Sequence, residues 1–121
     1  MAVAFEAVRE FALSLENVAA GTSYGTPAFH ARGALFVRLR EDLDSLVVRT
    51  SFEEREALMA DDPDTYYITD HYLNYEWVLV RLSRVNPDAL RDLLRGAHRL
   101  AISSKQSGPA RRSTVRARRR K

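Results

Sequence analysis

Residues 21–25 read GTSYG, which has the G-x-S-x-G spacing of the nucleophile elbow in serine hydrolases. In that elbow a strand precedes the serine and a helix follows it, so that the hydroxyl lies at a helix N-terminus. Here a helical pattern precedes the motif and a strand pattern follows it. We therefore interpret Gly21 and Gly25 as turn residues with positive φ, and we expect Ser23 not to be a nucleophile. We assign no catalytic residue and expect that the protein is not an enzyme.

The other residue types that could do chemistry form no recognisable motif. His30, His71 and His98 are scattered, without H-x₃-H or H-E-x-x-H spacing, and the chain has no cysteine. The lack of cysteine excludes disulfides and thiol catalysis, and it fits a reducing compartment. We expect no metal site and no cofactor.

The charge of the chain is divided unequally between two segments. The net charge is +3, but residues 105–121 carry eight basic residues and no acid, whereas residues 1–104 hold 11 arginines and 16 acids, a net charge of −5. Such a basic segment is typical of a tail that contacts nucleic acid or an anionic surface. We predict a folded domain at residues 1–104 and a disordered tail at 105–121, because the tail has no apolar periodicity. Its candidate nucleic-acid contacts are Arg111, Arg112, Arg116, Arg118, Arg119 and Arg120.

No stretch of the sequence resembles a membrane segment. No apolar run reaches the roughly 18 to 20 residues that span a bilayer. Glu6, Arg9 and Glu10 interrupt the apolar N-terminus, which argues against a signal peptide. We expect a cytoplasmic protein without a membrane partner.

Hydrophobic periodicity predicts an α+β fold in the order α-β-β-β-α-β-β-α. Ser51 with Glu54 forms a capping box, and Asn86 before Pro87 marks the start of the last helix. Hairpin-joined strands between helices indicate two layers, an antiparallel sheet with helices packed on one face. The predicted segments are a helix at 4–15, a loop at 17–27, strands at 28–32, 34–40 and 45–50, a helix at 51–60, strands at 65–69 and 76–82, and a helix from 87.

Strict alternation along the strands separates two faces of the sheet. One face is aliphatic and consists of Leu35, Val37, Leu39, Leu46, Val48, Val78, Val80 and Leu82. The opposite face is rich in arginine and aromatic residues, which suit phosphate contact and stacking. As an alternative, these arginines pair with Glu41, Asp42, Asp44 or Glu76 and solvate a half-exposed sheet. The predicted nucleic-acid contacts on this face are Arg32, Phe36, Arg38, Arg40, Arg49, Trp77 and Arg81.

The segment YYITDHYLNYEW holds four of the five tyrosines and the only tryptophan. As a connection between strands, it would present Asp70, His71, Tyr72 and Tyr75 at one rim of the sheet. An aromatic cluster with satisfied hydroxyl groups explains the same composition. Both interpretations remain open at this point.

Three stretches, TSYGTPAFHARGALF, SFEEREAL and TDHYLNYEWVLVRL, resemble the MmcQ/YjbR family over about residues 3–103. The resemblance implies a fold like that of frataxin and CyaY, and a DNA-binding function through a double-wing motif, with no known enzymatic reaction. Ala34 stands where many relatives have lysine, which removes a possible phosphate contact. Glu76 stands where many have proline, which adds negative charge beside Trp77. The residues that match the family motifs are Tyr24, Gly25, Pro27, Phe29, Gly33, Asp70, His71, Tyr72, Tyr75 and Trp77.

The sequence thus predicts a non-enzymatic, weakly sequence-specific DNA-binding protein. The basic tail would supply affinity, and the arginine and aromatic face of the sheet would supply orientation. The alternative is a protein-interaction module that docks through the sheet face around Trp77 and has no role with nucleic acid. A third hypothesis is an enzyme or small-ligand binder that uses the SYGTP and DHY loops. The target sequence, the partner and the oligomeric state are left open.

Overall fold

The computed structural model describes residues 2–107, and the side chains of residues 2–103. Six strands form one sheet in the order β1-β2-β3-β4-β6-β5, and every neighbouring pair is antiparallel. The α+β fold is confirmed, and the elements follow the predicted order, except that β1 occupies a predicted loop. The elements are α1 (Phe5–Ser14), β1 (Val18–Ser23), β2 (Thr26–Ala31), β3 (Ala34–Leu39), β4 (Ser45–Arg49), α2 (Phe52–Asp61), β5 (Tyr66–Tyr67), a 3₁₀ turn (Asp70–Tyr72), β6 (Trp77–Arg81) and α3 (Pro87–Ser107).

The strand β1 has the sequence VAAGTS and pairs along its whole length with β2. Gly21 lies inside this strand opposite Ala28, so its interpretation as a turn residue with positive φ was wrong. The turn that follows is made by Tyr24 and Gly25, with φ values of 54° and 80°. Positive φ at both central residues is the geometry of a tight type I′ hairpin. The interpretation of Gly25 as a turn residue with positive φ is therefore confirmed.

The two predicted helix starts are confirmed by hydrogen bonds. The Ser51 hydroxyl accepts from the Glu54 amide at 3.0 Å. The Asn86 side chain accepts from the amides of Asp88 at 2.8 Å and Ala89 at 3.2 Å. The helix α3 continues through Ser107.

The predicted tail contacts lie outside the described residues, so the tail and the division at residue 104 stay predictions. These contacts are Arg111, Arg112, Arg116, Arg118, Arg119 and Arg120.

The helices α1 and α3 cover one face of the sheet and bury its aliphatic residues. Val8 and Ala12 of α1 and Leu94 and Ala97 of α3 pack in one cluster with the sheet. Every residue predicted for the aliphatic face belongs to this core except Leu35. The opposite face of the sheet is therefore the one that remains for a functional site.

The exception at Leu35 is caused by a β-bulge in β3. Phe29 lies opposite Val37 and His30 lies opposite Leu35, so Phe36 is an extra residue in the strand. A bulge interrupts alternation, and both Phe36 and Val37 join the core while Leu35 faces the other side. The prediction that Phe36 lies on the exposed face was wrong. It is fully buried.

The ring of Phe36 packs against His98 of α3. Its centroid lies 5.7 Å from the centroid of His98, in an edge-to-face arrangement. The Nε2 atom of His98 also forms a hydrogen bond with the carbonyl oxygen of Glu16 at 2.6 Å. His98 therefore faces the sheet and joins α3 to the end of α1.

Candidate functional site

A pocket of about 290 Å³ lies on the sheet face opposite α1 and α3. Two strands of the sheet form its floor, and the segment at residues 70–77 forms one wall. The hairpin turn after β1 contributes a second wall. Side chains that the sequence placed in separate motifs, SYGTP and DHYLNYEW, meet here. We call this the aromatic pocket, and its lining consists of Tyr24, Leu35, Arg38, Val47, His71, Tyr72, Tyr75 and Trp77.

Arg38 forms the polar part of the aromatic pocket and is only 5% exposed. Its Nη2 donates to the Tyr72 hydroxyl at 3.1 Å, and its Nη1 donates to the Leu39 carbonyl oxygen at 3.3 Å. The guanidinium also lies 4.9 Å from the centroid of the Tyr24 ring. Its ion pair with Glu41 spans 3.6 Å, and the Glu41 side chain is 60% exposed. Arg38 therefore carries a buried charge that its carboxylate partner compensates only weakly.

The wall at residues 70–77 is held by Arg55 of α2, which is 3% exposed. Its Nη1 donates to the carbonyl oxygens of Tyr72 at 2.9 Å, Tyr75 at 2.7 Å and Trp77 at 3.2 Å. Its Nη2 donates to the Leu73 carbonyl oxygen at 3.0 Å. One side chain thereby donates to four backbone acceptors of an irregular segment.

Our sequence interpretation missed Arg55, although a signal for it exists. Arg55 precedes Leu58 and Met59 by three and four positions, and both of these pack against the core. Residues at that spacing share one face of a helix. An arginine on the inward stripe of an amphipathic helix is a candidate for a structural hydrogen-bonding role.

Two tyrosines border the aromatic pocket with unusually exposed rings. Tyr24 is 78% exposed and Tyr75 is 59% exposed. Tyr24 also adopts a left-handed backbone conformation, with φ of 54°, which costs a non-glycine residue about 1–2 kcal/mol. The turn thus holds an apolar ring beside Arg38 in spite of this cost.

Two of the arginines that were predicted for an open surface have partners within the described residues. The Nη1 of Arg40 lies 3.2 Å from the Asp42 carboxylate and 3.4 Å from the Tyr67 hydroxyl. The guanidinium of Arg81 lies 4.1 Å from the centroid of the Tyr67 ring. These contacts, with the Arg38 ion pair, match the alternative in which the arginines pair locally. The stacking partners are tyrosines rather than Trp77.

The remaining predicted contacts are dispersed. Arg49 is half-buried and lies opposite Trp77 in the pairing of β4 with β6. Arg32 lies with Gly33 in the tight turn between β2 and β3, with φ values of 52° and 85°. That turn is at the opposite end of β2 from Tyr24, so Arg32 is not part of the pocket. The five arginines do not form one continuous open patch.

The acids beside the pocket are stabilised in their ionised form. The backbone amide of Glu41, followed by the nearby Arg38, lowers the pKa of the Glu41 carboxyl. Partial burial raises the pKa of Asp42, but hydrogen bonds from the amides of Asp44 and Ser45 and the charge of Arg40 outweigh it, so the pKa of Asp42 is lowered overall. Those two hydrogen bonds measure 2.9 and 3.0 Å. Both carboxylates are charged at neutral pH.

Other residues of the family motifs shape the fold rather than the pocket. Phe29 is buried and its ring stacks on Phe5, with centroids 6.1 Å apart. Pro27 pairs opposite Thr22 within the hairpin, and Asp70 begins the 3₁₀ turn. The motif residues that do meet at the aromatic pocket are Tyr24, His71, Tyr72, Tyr75 and Trp77.

Ser23 is the last residue of β1 and pairs with Thr26 across the turn, and its carbonyl oxygen accepts from the Thr26 hydroxyl at 2.9 Å. The local order is strand, turn, strand, which differs from that of a nucleophile elbow.

Within residues 2–107, no three side chains of histidine, aspartate or glutamate converge as a metal site would require. None of the helices found in the same range is long and apolar enough to cross a membrane.

Comparison with known proteins identifies the family of the chain. Residues 13–100 match the family model described as YjbR. A crystal structure of the Deinococcus radiodurans protein DR2400, which has a DUF419 domain, is 20% identical with a TM-score of 0.73, over 84% of this chain and 80% of that chain. No curated protein matches the sequence. At this identity the structural likeness shows the fold alone, whereas the family model spans well over half of the sequence. The chain therefore belongs to the YjbR family.

Proposed function

We propose that the protein binds DNA without catalysing a reaction, and that the aromatic pocket is the part of the folded domain that contacts it. The observation that carries this proposal is that the exposed Tyr24 and Tyr75 line the same pocket as the buried Arg38. Exposed rings beside a cation provide stacking surfaces for bases and a donor for base edges or phosphates. Weak sequence preference is expected, because one pocket contacts few bases.

The charge distribution supports a division of roles between the domain and the tail. Residues 1–104 have a net charge of −5, so the domain has no general attraction for a phosphate backbone. Residues 105–121 carry +8 and would supply the salt-dependent part of the affinity. The domain would then orient the complex through the aromatic pocket.

A protein-docking function is the second candidate, and one observation favours it. Leu73 and Tyr75 are 56% and 59% exposed on the wall at residues 70–77. Large exposed apolar side chains in one segment are typical of protein contact sites. A partner would then dock on this wall, including Trp77.

The DNA proposal is tested by fluorescence anisotropy with labelled single-stranded and duplex DNA at several salt concentrations. The full chain should bind with an affinity that falls as salt rises. A variant that ends at residue 107 lacks seven basic residues, so its log–log salt slope should flatten by up to about six units. An unchanged slope would mean that the tail takes no part.

A pair of surface variants tests the role of the domain. Tyr24→Ala should weaken DNA binding by the shortened chain, whereas Arg32→Ala, at the opposite end of β2, should not. If the full chain fails to bind DNA at low salt, the DNA proposal is wrong. A defined protein partner that binds the wild type and not the Leu73→Glu variant would then favour the docking function.

A further inference from the structure

A second hollow of about 280 Å³ adjoins the aromatic pocket. The two share Tyr24, Arg38, His71 and Tyr72 in their linings, and we call the two hollows together the groove. One end of the groove is lined by rings and aliphatic side chains. The other end adds Arg40, Glu41 and Thr69 and is polar and charged. The aromatic end, at about 290 Å³, is near the lower limit of roughly 300 Å³ for small-molecule pockets, so it suits one ring system rather than a larger ligand.

The hydrogen-bonding capacity of Arg38 indicates what such a ring should carry. Its three hydrogen bonds within the protein go to neutral acceptors, namely the Tyr72 hydroxyl at 3.1 Å, the Leu39 carbonyl oxygen at 3.3 Å and the Thr26 hydroxyl at 3.4 Å, and the last two are long. Its ion pair with the exposed Glu41 spans 3.6 Å. A guanidinium has five donors in a planar fork and binds two adjacent acceptors well. Nη1 already has three of these contacts and Nη2 has one, so a ligand with two acceptors on one edge of a flat ring would bind along the Nη2 and Nε edge of the guanidinium.

We propose that the groove binds a single guanine base. Its ring would lie among the aromatic side chains, and its O6 and N7 atoms would accept hydrogen bonds from Arg38. The sugar and phosphate would extend toward Arg40 at the polar end. Guanine presents these two adjacent acceptors, and their bidentate contact with arginine is the commonest specific one between proteins and bases. The base belongs either to a free nucleotide or to an unpaired position of a strand, since stacking in a duplex covers the ring faces.

The first test uses free nucleotides and so does not depend on the proposed DNA binding. The fluorescence of Trp77, the only tryptophan, reports on the pocket. Titration of the full chain with GMP should change this fluorescence to saturation, with an affinity at least about tenfold above that for AMP or CMP, since bidentate contacts discriminate between bases. Ribose 5-phosphate, which has the charge without the base, should have no effect. Equal responses to all three nucleotides would overturn the preference for guanine.

The second test uses DNA and separates the two sources of the base. The full chain should bind a duplex with one extrahelical guanine at least about tenfold more tightly than the same duplex with an abasic site at that position. Binding of GMP without this difference would support the groove and identify a free nucleotide as its ligand. If both duplexes bind equally and GMP has no effect, the inference is wrong although DNA binding stands. If GMP binds and no DNA does, the groove stands and the proposed function fails.

Variants connect either response to the groove. Tyr24→Ala alters an exposed side chain, and it should weaken GMP binding about tenfold, since loss of a stacking ring commonly has effects of that size. Arg38→Lys keeps the charge and removes the planar fork, so it should abolish the preference for GMP over AMP. Arg32→Ala is the matched control and should bind as the wild type does. Circular dichroism verifies that each variant is folded, and unchanged GMP binding by a folded Tyr24→Ala protein would contradict the proposed groove.

Discussion

Replacement of Arg55 by alanine should destabilise the protein and loosen the wall of the aromatic pocket. Four carbonyl oxygens, at 2.7–3.2 Å, would lose a charged donor. Hydrogen bonds to charged groups contribute about 1.5–3 kcal/mol each, but they are not additive. Three of these bonds share one nitrogen atom, and the variant no longer has to bury a charge. We therefore expect a loss of about 2–4 kcal/mol, a large part of the typical 5–15 kcal/mol of a domain.

The assay is urea unfolding followed by circular dichroism, with Arg55→Ala beside Arg99→Ala. Arg99 is an exposed arginine of α3 and serves as the control. Hydrogen exchange should show the largest loss of protection at residues 72–77 in Arg55→Ala. Arg55→Lys should be intermediate, because an ammonium has three donors but cannot reach the same spread of acceptors. A free energy of unfolding for Arg55→Ala within about 0.5 kcal/mol of the wild type, the range of ordinary surface substitutions, would refute this reasoning.

Three further outcomes are expected. Gly33→Ala should lower the free energy of unfolding by about 1 kcal/mol, since φ is +85° at this position. Gly21→Ala should lower it less, because the added Cβ would lie at an ordinary contact distance of 3.7 Å from the His30 ring. The folded-state pKa of Asp42 is below its ordinary value of 3.8, so the stability it contributes is present above that pH and is lost as the pH falls through the folded value. In acid titration, the free energy of unfolding of Asp42→Asn should therefore fall less steeply below pH 4 than that of the wild type. The difference should be slight, because the carboxylate is substantially exposed. A fluorophosphonate probe should leave Ser23 unlabelled; stoichiometric labelling there would show an active nucleophile.

Local patterns predicted the parts of the fold that depend on neighbouring residues. The capping side chains of Ser51 and Asn86 lie within three residues of the amides they bind, so short sequence motifs reveal them. The turn at Gly33 is similarly local. The strand β1 escaped prediction because VAAGTS has no large alternating side chains, and its pairing with β2 makes it a strand.

The position of Phe36 illustrates a different limit. Alternation assigns it to the exposed face only if β3 is regular. The bulge depends on how β3 aligns with β2, and a shift of one residue exchanges the faces of a strand. Such a register is a property of two strands together and is absent from the pattern of either one.

The sequence by itself determined the α+β class, the helix starts, most of the aliphatic face and the uneven division of charge between residues 1–104 and 105–121. Each of these follows from periodicity, composition or contacts between near neighbours. Only the tertiary structure decided that Tyr24 and the wall at residues 70–77 meet over Arg38, and that Arg55 holds this wall. Arg38 and Tyr72 are 34 positions apart, and Arg55 binds carbonyls 17 to 22 positions away. Contacts at such separations depend on the packing of the whole sheet, because no local pattern in the chain encodes them.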